Sequence, residues 1–244
     1  MPMCRLYIES ALSTGMEVTL NDEQQHYLRR VMRLHAGDPV LLFNGQGGEY
    51  EALIISRGKS DMACRIGKCF TVDREMPGEV HIVQATSRNE KIESVLQKGT
   101  ELGAAGFQIV ACERSSLKLP EGKLDSRLRR WRKIIIEAAE QSGRTRIPAL
   151  HWRQSLADIR LAGQSYALHP LATLSWRQVR ERIAQANYIS FVIGPEGGLS
   201  ARDLQILAEL KCETLAFGPR IMRTETAAPA LLAAVQAVQE EPSG

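Results

Sequence analysis

The feature that most constrains the fold is the regular alternation of strand and helix patterns from residue 79 to residue 239. The predicted strands are short apolar runs that read EVHIVQAT, FQIVAC, SYALH, YISFVIG and TLAFG. Segments with apolar residues at helical spacing follow them, among them NEKIESVLQKGTELG, WRQVRERIAQA, SARDLQILAEL and TAAPALLAAVQAVQ. Because a helix between two strands brings those strands parallel, the sequence predicts an α/β domain with a mostly parallel sheet covered on both faces.

The residues before this alternation show a different pattern, in which short strand signals follow one another. These signals read CRLYI, PVLLF, EYEALII and MACRIG, and their connections carry Gly, Asn and Asp. One helical segment, NDEQQHYLRRVMRL, interrupts them and can be capped by Asn21 or Asp22. Its spacing predicts one apolar face, made of Tyr27, Leu28, Val31, Met32 and Leu34. We therefore predict a small β-domain over residues 1–72 and, from the polar linker TVDREMPGE onward, a second domain over residues 73–244.

The composition is that of an ordinary globular protein, with 44% hydrophobic residues in a chain of 244. The N-terminal MPMCRLYIES has no basic segment followed by an apolar run, and no apolar stretch is long enough to span a bilayer. The five cysteines include no CxxC pair and form no ligand spacing with the histidines. We expect a soluble, cytoplasmic protein with reduced thiols and no bound metal.

The positive charge of the chain is concentrated in one segment. The formal net charge is only +3, yet residues 114–146 contain ten Lys and Arg residues against four Asp and Glu residues. Five of these basic residues fall within about two helical turns, namely Arg127, Arg129, Arg130, Arg132 and Lys133. Such a run is either a solvated helix face or a surface that contacts phosphates. The arginines at both ends of the segment favour the phosphate-facing surface.

Three loops follow predicted strands at their C-terminal ends, which is the edge where open α/β sheets bind ligands. They are Leu168-His169-Pro170, VIGPEGGLS over residues 192–200, and LAFGPRIMRTETA over residues 215–227. The glycines of the second loop permit backbone conformations closed to other residues and close approach of a ligand. No loop carries the glycine-lysine pattern of a phosphate-binding P-loop. A neutral, backbone-lined pocket of this kind suits an adenine and a sulfonium better than a triphosphate.

Five segments, in the same order, resemble landmarks of the bacterial 16S ribosomal RNA uracil-N3 methyltransferase family. They are HYLRRVMRLHAGD, KIESVLQKGTELG, EAAEQSGR, GPEGGLS and GPRIMRTETA, and they span nearly the whole chain. The resemblance implies an N-terminal PUA-like β-barrel domain that contacts RNA, followed by a SPOUT-class α/β domain whose C-terminal segment forms a deep trefoil knot. It also implies a homodimer that binds S-adenosylmethionine and methylates N3 of a specific uridine in the 16S RNA of the small ribosomal subunit.

The resemblance further implies which residues line the cofactor, mainly through main-chain groups and apolar contact. These are Leu168, His169, Gly194, Pro195, Glu196, Gly198, Leu215, Gly218, Ile221, Met222, Arg223, Thr224 and Ala227. Two alternatives stay open from the residues themselves. Leu215 and Ile221 are equally suited to core packing, and Arg223 and Glu225 are able to form a local ion pair at the start of the last helix.

Methylation at uracil N3 requires loss of the imide proton and stabilisation of the resulting anion, whose charge spreads onto O2 and O4. We expect Arg223 to supply a cation beside these oxygens. The candidates to assist it are Arg88, Lys91 and Arg144. Glu196 and Glu225 are the candidate carboxylate bases, and loss of the proton to water is an equal alternative.

The predicted RNA contacts are basic residues of both domains: Arg29, Arg30, Arg33, Arg88, Lys91, Lys98, Arg129, Arg130, Arg132, Lys133 and Arg144. A homodimer is expected because the helix RKIIIEAAEQSGR carries more apolar residues than one stripe buries, and because the last helix is rich in alanine. The resemblance implies pairing through such helices, which would bring Glu137, Gln141 and Arg144 of one subunit toward the cofactor of the other.

Two other functions compete with this interpretation. The first is an RNA-binding or ribosome-assembly protein without catalysis, in which the glycine loops are only structural. The second is a nucleotide-binding α/β enzyme that acts on small molecules. The intact GPEGG and RTETA segments argue against the first, and the basic segment together with the extra β-domain argues against the second.

Overall fold

The computed structural model of the protein describes residues 3–56, 61–116 and 122–240. The chain forms two compact units. The first unit comprises Met1–Glu75 and Ala139–Ile147, and the second comprises Met76–Ala138 and Pro148–Gly244. The predicted boundary after residue 72 lies close to the end of the first segment. The sequence analysis did not anticipate that residues 139–147 return to the first unit.

The first unit is built on a five-stranded sheet with strand order β1-β3-β4-β5-β2. The strands are β1 (Arg5–Tyr7), β2 (Glu17–Thr19), β3 (Pro39–Phe43), β4 (Glu49–Ser56) and β5 (Met62–Phe70). β1 pairs with β3 in parallel, and the other pairs are antiparallel. Inward-facing residues such as Leu6, Leu42 and Ile54 form its core. The sequence analysis missed β2, because three residues with one apolar side chain give no alternation to detect.

The predicted apolar helix face in this unit is wrong. Asn21 caps helix α1 (Asp22–His26) as expected, its side chain accepting a hydrogen bond from the Gln24 amide at 2.9 Å. The helix then widens into a π-helical turn over Tyr27–Val31, where the Met32 amide donates to the Tyr27 carbonyl at 3.0 Å. The wider turn breaks the helical period. Leu28 is therefore buried, whereas Tyr27, Val31 and Met32 keep 38%, 60% and 37% of their surface exposed.

The second unit is built on a seven-stranded sheet in which every pair is parallel, with strand order β10-β12-β9-β11-β6-β7-β8. The strands are β6 (Glu79–Ala85), β7 (Gly106–Val110), β8 (Ala149–Arg153), β9 (Gln164–Leu168), β10 (Leu174–Ser175), β11 (Tyr188–Ile193) and β12 (Glu213–Ala216). The predicted α/β domain with a parallel sheet is confirmed. The sequence analysis missed the edge strands β8 and β10, which lack the continuous apolar run of a central parallel strand.

In the part of the chain that the structure describes, five α-helices connect or follow these strands: α2 (Asn89–Glu101), α3 (Leu124–Ser142), α4 (Trp176–Ala184), α5 (Ala201–Glu209) and α6 (Thr224–Gln239). α2 lies close to the sheet at Gly99, where an added Cβ would come within 2.7 Å of the Phe107 ring. Its apolar stripe of Ile92, Val95 and Leu96 is buried, as its helical spacing predicts. Among the described residues, no helix is long and apolar enough to cross a membrane.

The connection from β11 to β12 sets the position of the candidate site. β9 pairs with β11 on one side and with β12 on the other, so the chain passes from β11 across β9 before it forms β12. α5 lies within this crossover. Such a reversal of strand order leaves a crevice at the carboxyl ends of the strands, where open parallel sheets bind their ligands.

Candidate active site

The three loops singled out in the sequence meet at one edge of the sheet. They follow β9, β11 and β12, which are neighbouring parallel strands, so their carboxyl ends lie side by side. The first and third loops are also bonded directly, because the His169 amide donates to the Leu215 carbonyl at 3.0 Å. The prediction that these loops share an edge is confirmed. The order of the strands, with β9 in the middle, was not predictable from the pattern.

The backbone at two glycines of these loops faces open space. Gly198 closes a turn in which its amide donates to the Pro195 carbonyl at 2.9 Å. Both Gly198 and Gly218 have positive φ, of 70° and 76°, and a Cβ added at either would meet no atom within 4 Å. Gly194 differs, because a Cβ there would lie 3.1 Å from Leu199 Cγ. Gly198 and Gly218 are thus the positions where a ligand can approach the bare backbone.

One lysine bridges the carboxylates of two of the loops. Lys91 Nζ, on α2, lies 3.2 Å from Glu196 Oε1 and 3.3 Å from Glu225 Oε2, and the lysine side chain is only 13% exposed. Partial burial by itself raises the pKa of each carboxyl. Backbone hydrogen bonds and the Lys91 ammonium outweigh that effect and hold the pKa of both Glu196 and Glu225 below the ordinary value of 4.5. Both side chains are therefore carboxylates at neutral pH.

A buried hydrogen-bond chain joins the start of α6 to two central strands. Gln84 Nε2 donates to Thr224 Oγ1 at 2.8 Å, and Thr224 Oγ1 donates to the Gly194 carbonyl at 2.9 Å. Two further hydroxyls follow β6 in the same region of the chain. Thr86 and Ser87 are buried, and their oxygens have no hydrogen-bond partner within the described part of the chain. The sequence analysis missed Gln84, Thr86 and Ser87, although β6 is the next strand beyond β11 and the same edge argument covers its end.

The other predicted cofactor residues fall into two groups. Leu215, Thr224 and Ala227 are buried, and Leu215 belongs to the core of the sheet, so only its backbone is available to a ligand. The remaining side chains are more accessible: Leu168, His169 and Met222 are half-buried, and Arg223 and Ile221 are exposed, Ile221 to 84%. Core packing was the alternative left open for both Leu215 and Ile221. It fits the buried Leu215 and does not fit the exposed Ile221.

Two family models match successive parts of the chain. A family described as the RNA methyltransferase domain matches residues 74–236, and a family described as the RNA methyltransferase PUA domain matches residues 20–66. The first match covers the complete candidate site.

The chain belongs to the RNA methyltransferase family.

Relatives and solved structures of this RNA methyltransferase family extend the likeness over nearly the whole chain. The Bacillus subtilis ribosomal RNA small subunit methyltransferase E is 30% identical, over 96% of this chain and 96% of the relative. The Neisseria gonorrhoeae methyltransferase of the same name, solved bound to S-adenosylmethionine, is 30% identical with a TM-score of 0.87, over 97% of this chain and 98% of that one. A Legionella pneumophila protein in complex with S-adenosylmethionine is 32% identical with a TM-score of 0.89, over the same shares.

The basic residues that the sequence suggested for RNA contact are placed unevenly in this methyltransferase. Most of those on the second unit are exposed, namely Arg88, Lys98, Arg129, Arg130, Arg132 and Lys133. Two are not. Lys91 is held between Glu196 and Glu225, and Arg144 is buried in the first unit, where its guanidinium pairs with Glu75. Because both side chains already pair with carboxylates of the same chain, we do not include them among the residues proposed to contact RNA.

Proposed function

We propose that this chain is a S-adenosylmethionine-dependent methyltransferase that methylates N3 of a specific uridine in the 16S RNA of the small ribosomal subunit. The observation that carries the proposal is the crevice at the ends of β9, β11 and β12, where Gly198 and Gly218 turn bare backbone toward open space. The Legionella pneumophila and Neisseria gonorrhoeae relatives were solved with S-adenosylmethionine bound. The names of the Neisseria gonorrhoeae and Bacillus subtilis relatives state action on small-subunit ribosomal RNA.

The residues at this edge suit the cofactor. Adenine needs apolar faces and backbone hydrogen bonds, and Leu168, Ile221 and Met222 lie on the loops that surround the two open glycines. The positive sulfonium is compatible with a site that also holds the carboxylates Glu196 and Glu225. Lys91 offsets one of these two negative charges, and Arg223 lies close enough to lower the pKa of Glu225, so the site is close to neutral. When bound, S-adenosylmethionine supplies an electrophilic methyl group.

Arg223 is the side chain best placed to act on the target base. It is exposed at the N-cap position of α6, directly after the loop that contains Gly218. A fixed guanidinium beside uracil O2 or O4 stabilises the anion formed when N3 loses its proton. The target uridine must also leave any stack that it occupies before it reaches such a site.

Glu196 and Glu225 are weaker candidates for the base that removes the N3 proton. A general base works best when its pKa lies near the working pH, and the pKa of each carboxyl is held below its ordinary range. We propose that they position the two loops through Lys91, and that the proton passes to water while Arg223 stabilises the anion.

Three further features, expected from the resemblance and from the sequence itself, belong to this proposal. The segment from β12 to α6 forms a deep trefoil knot, a rare exception to the rule against knotted chains. The enzyme works as a homodimer in the cytoplasm, with an apolar interface of well over ~1,000 Å². Ala233 and Ala237 on α6 are exposed, and such small side chains allow a neighbouring helix to pack closely.

A comparison of Arg223→Gln with Arg220→Gln tests the proposal. Arg220 is an exposed arginine of the same loop and serves as the matched control. We expect S-adenosylmethionine to bind both variants in calorimetry, and kcat for methyl transfer to small ribosomal subunits to fall roughly 100-fold in Arg223→Gln alone. Mass spectrometry of the RNA product then locates the methyl group. A wild-type chain that binds RNA but not S-adenosylmethionine would instead support a non-catalytic assembly protein.

A further inference from the structure

Two neighbouring cavities of the first unit share a wall made of two arginines. The larger has a volume of about 410 Å³ and is bounded on one side by the apolar residues Leu34, Ile54 and Ile55. The smaller has a volume of about 290 Å³ and is bounded by the polar residues Asp22, Gln25 and His26. Arg29 and Arg30 line both. The two cavities therefore adjoin at these two arginines.

The segment that carries this wall has an unusual backbone. Arg29 and Arg30 lie in the π-helical turn Tyr27–Val31, and Arg33 just after it adopts a φ of 56°. Widened helical turns and left-handed non-glycine residues cost stability and concentrate at functional sites. Here the widened turn keeps Tyr27 and Val31 at the surface, although both are large apolar residues that a regular helix could have buried.

The position of one arginine is fixed on the rim of the larger cavity. Arg29 Nε lies 2.9 Å from Met62 Sδ, and Met62 is itself a lining residue. The larger cavity also has polar groups, since His35 and Ser56 line it together with the apolar residues. Its volume lies within the range of about 300–1,000 Å³ that small-molecule pockets occupy. It combines apolar walls, a few polar groups and a fixed cation.

We infer that these cavities hold two consecutive nucleotides of single-stranded RNA, one base in each, with the phosphodiester between them on Arg29 and Arg30. The inference rests on the proposed function, because it takes RNA to be the substrate. A phosphodiester stands between two successive bases, and the two arginines stand between two successive cavities. Arginine is the side chain best suited to a phosphate at such a point.

The chemistry of each cavity suits an unstacked base. The apolar walls of the larger one accept the face of a base. Asp22, Gln25 and His26 in the smaller one present donors and acceptors to a base edge. Bases are available in this way only in single strands, loops and bulges, since a duplex keeps them stacked and paired.

The test uses the full chain and three variants. The double variant Arg29→Gln/Arg30→Gln removes the shared wall's charge. The double variant Arg65→Gln/Lys68→Gln removes two charges from exposed positions on β5 that line neither cavity, and is the matched control. Ala36→Leu adds bulk at an exposed lining residue of the larger cavity without changing charge. The probe is a fluorescein-labelled, uridine-rich single-stranded RNA, compared with the same RNA annealed into a duplex, and the readout is anisotropy over a range of salt concentrations.

We expect the wild-type chain to prefer the single strand. The Arg29→Gln/Arg30→Gln variant should bind it roughly tenfold more weakly, and each lost phosphate contact should lower the log–log salt slope by about 0.7. Ala36→Leu should weaken binding roughly fivefold or more, with its salt slope unchanged, because it displaces a base and no phosphate. The control variant should lose much less affinity than the cavity variant.

Several outcomes overturn the inference. An equal loss of RNA affinity in the control and cavity variants would show that the effect reflects general charge and not this site. No detectable binding of the wild-type chain to single-stranded RNA would also contradict the inference. If the Arg29→Gln/Arg30→Gln variant lost affinity only for assembled ribosomal subunits, and not for RNA alone, we would conclude that this surface contacts protein. Calorimetry with S-adenosylmethionine separates this inference from the proposed function. If the cofactor does not bind while the RNA variants behave as expected, the proposed function fails and the two-nucleotide site remains.

Discussion

Gln84 and Thr224 are 140 positions apart in the chain, yet the Gln84 side-chain amide donates a 2.8 Å hydrogen bond to the Thr224 hydroxyl. The Thr224 hydroxyl in turn donates a hydrogen bond to the Gly194 carbonyl. Both side chains are buried. This link therefore fixes the first turn of α6, and with it Arg223, against the ends of β6 and β11. The position of the proposed catalytic arginine depends on a glutamine and a threonine that do no chemistry.

Thr224→Val should destabilise the protein by about 1–3 kcal/mol, because the buried Gln84 amide keeps only the Ala85 carbonyl as an acceptor and the Gly194 carbonyl loses its donor. Valine keeps the shape of threonine, so the change isolates the hydroxyl. Thr226→Val, at an exposed position of the same helix, is the control and should change stability by less than about 0.5 kcal/mol. Urea denaturation measures both. Equal stability of the two variants would show that the buried bond contributes nothing.

Lys91→Met should lower stability most at neutral pH. The pKa of Glu196 and Glu225 is depressed in the folded protein, so their stabilisation is present above the unfolded value near 4.5 and is lost as the pH falls through the lower folded values. The variant removes the Lys91 ammonium, which together with backbone hydrogen bonds lowers the pKa of both carboxyls, so the stability difference between the variant and wild type should narrow below pH 4.5. Denaturant titrations at several pH values measure this gap.

The control for that experiment is Lys98→Met on the same helix, where the lysine is exposed. It should show no comparable dependence on pH. Lys91→Arg should retain part of the stabilisation, because a guanidinium can still reach a carboxylate. A gap between Lys91→Met and wild type that stays constant from neutral to acidic pH would contradict the role given to the two carboxylates.

Gly198→Asn and Gly218→Asn should leave the fold largely intact and weaken S-adenosylmethionine binding at least tenfold. Asparagine tolerates positive φ better than other side chains, and at both positions the new side chain enters open space. Gly15→Asn, which also has positive φ and open space but lies in the first unit, controls for the backbone cost. Isothermal calorimetry gives the affinities. Gly194 is unsuitable for this test, because a side chain there would meet Leu199.

Arg144→Met should destabilise the protein by about 3 kcal/mol or more, since it leaves the Glu75 carboxylate without its buried partner. Arg146→Met, two residues further on and exposed, should have a small effect. Thermal unfolding followed by circular dichroism compares them. If Arg144→Met instead lost catalysis at unchanged stability, the arginine would act in the reaction, as first expected from the sequence.

The sequence alone predicted the elements whose residues repeat with a clear period. The buried stripe of α2 and the central strands β6, β9 and β11 follow from apolar spacing, because burial of those side chains drives their formation. The same reasoning failed at Tyr27 and Val31. A local change in hydrogen bonding, from the regular helix to a π-helical turn, moved both to the surface, and periodicity contains no sign of such a change.

What the sequence determined by itself is the set of loops that carry the site, since GPEGGLS and GPRIMRTETA each follow a strand and end at a helix. What only the tertiary structure decided is which side chains act together. Lys91 and Arg144 both look like surface cations in the sequence. The fold instead pairs Lys91 with carboxylates more than a hundred residues away and buries Arg144 against Glu75. The reason is physical: a pattern records local burial, whereas the partner of a charge is set by where distant segments meet.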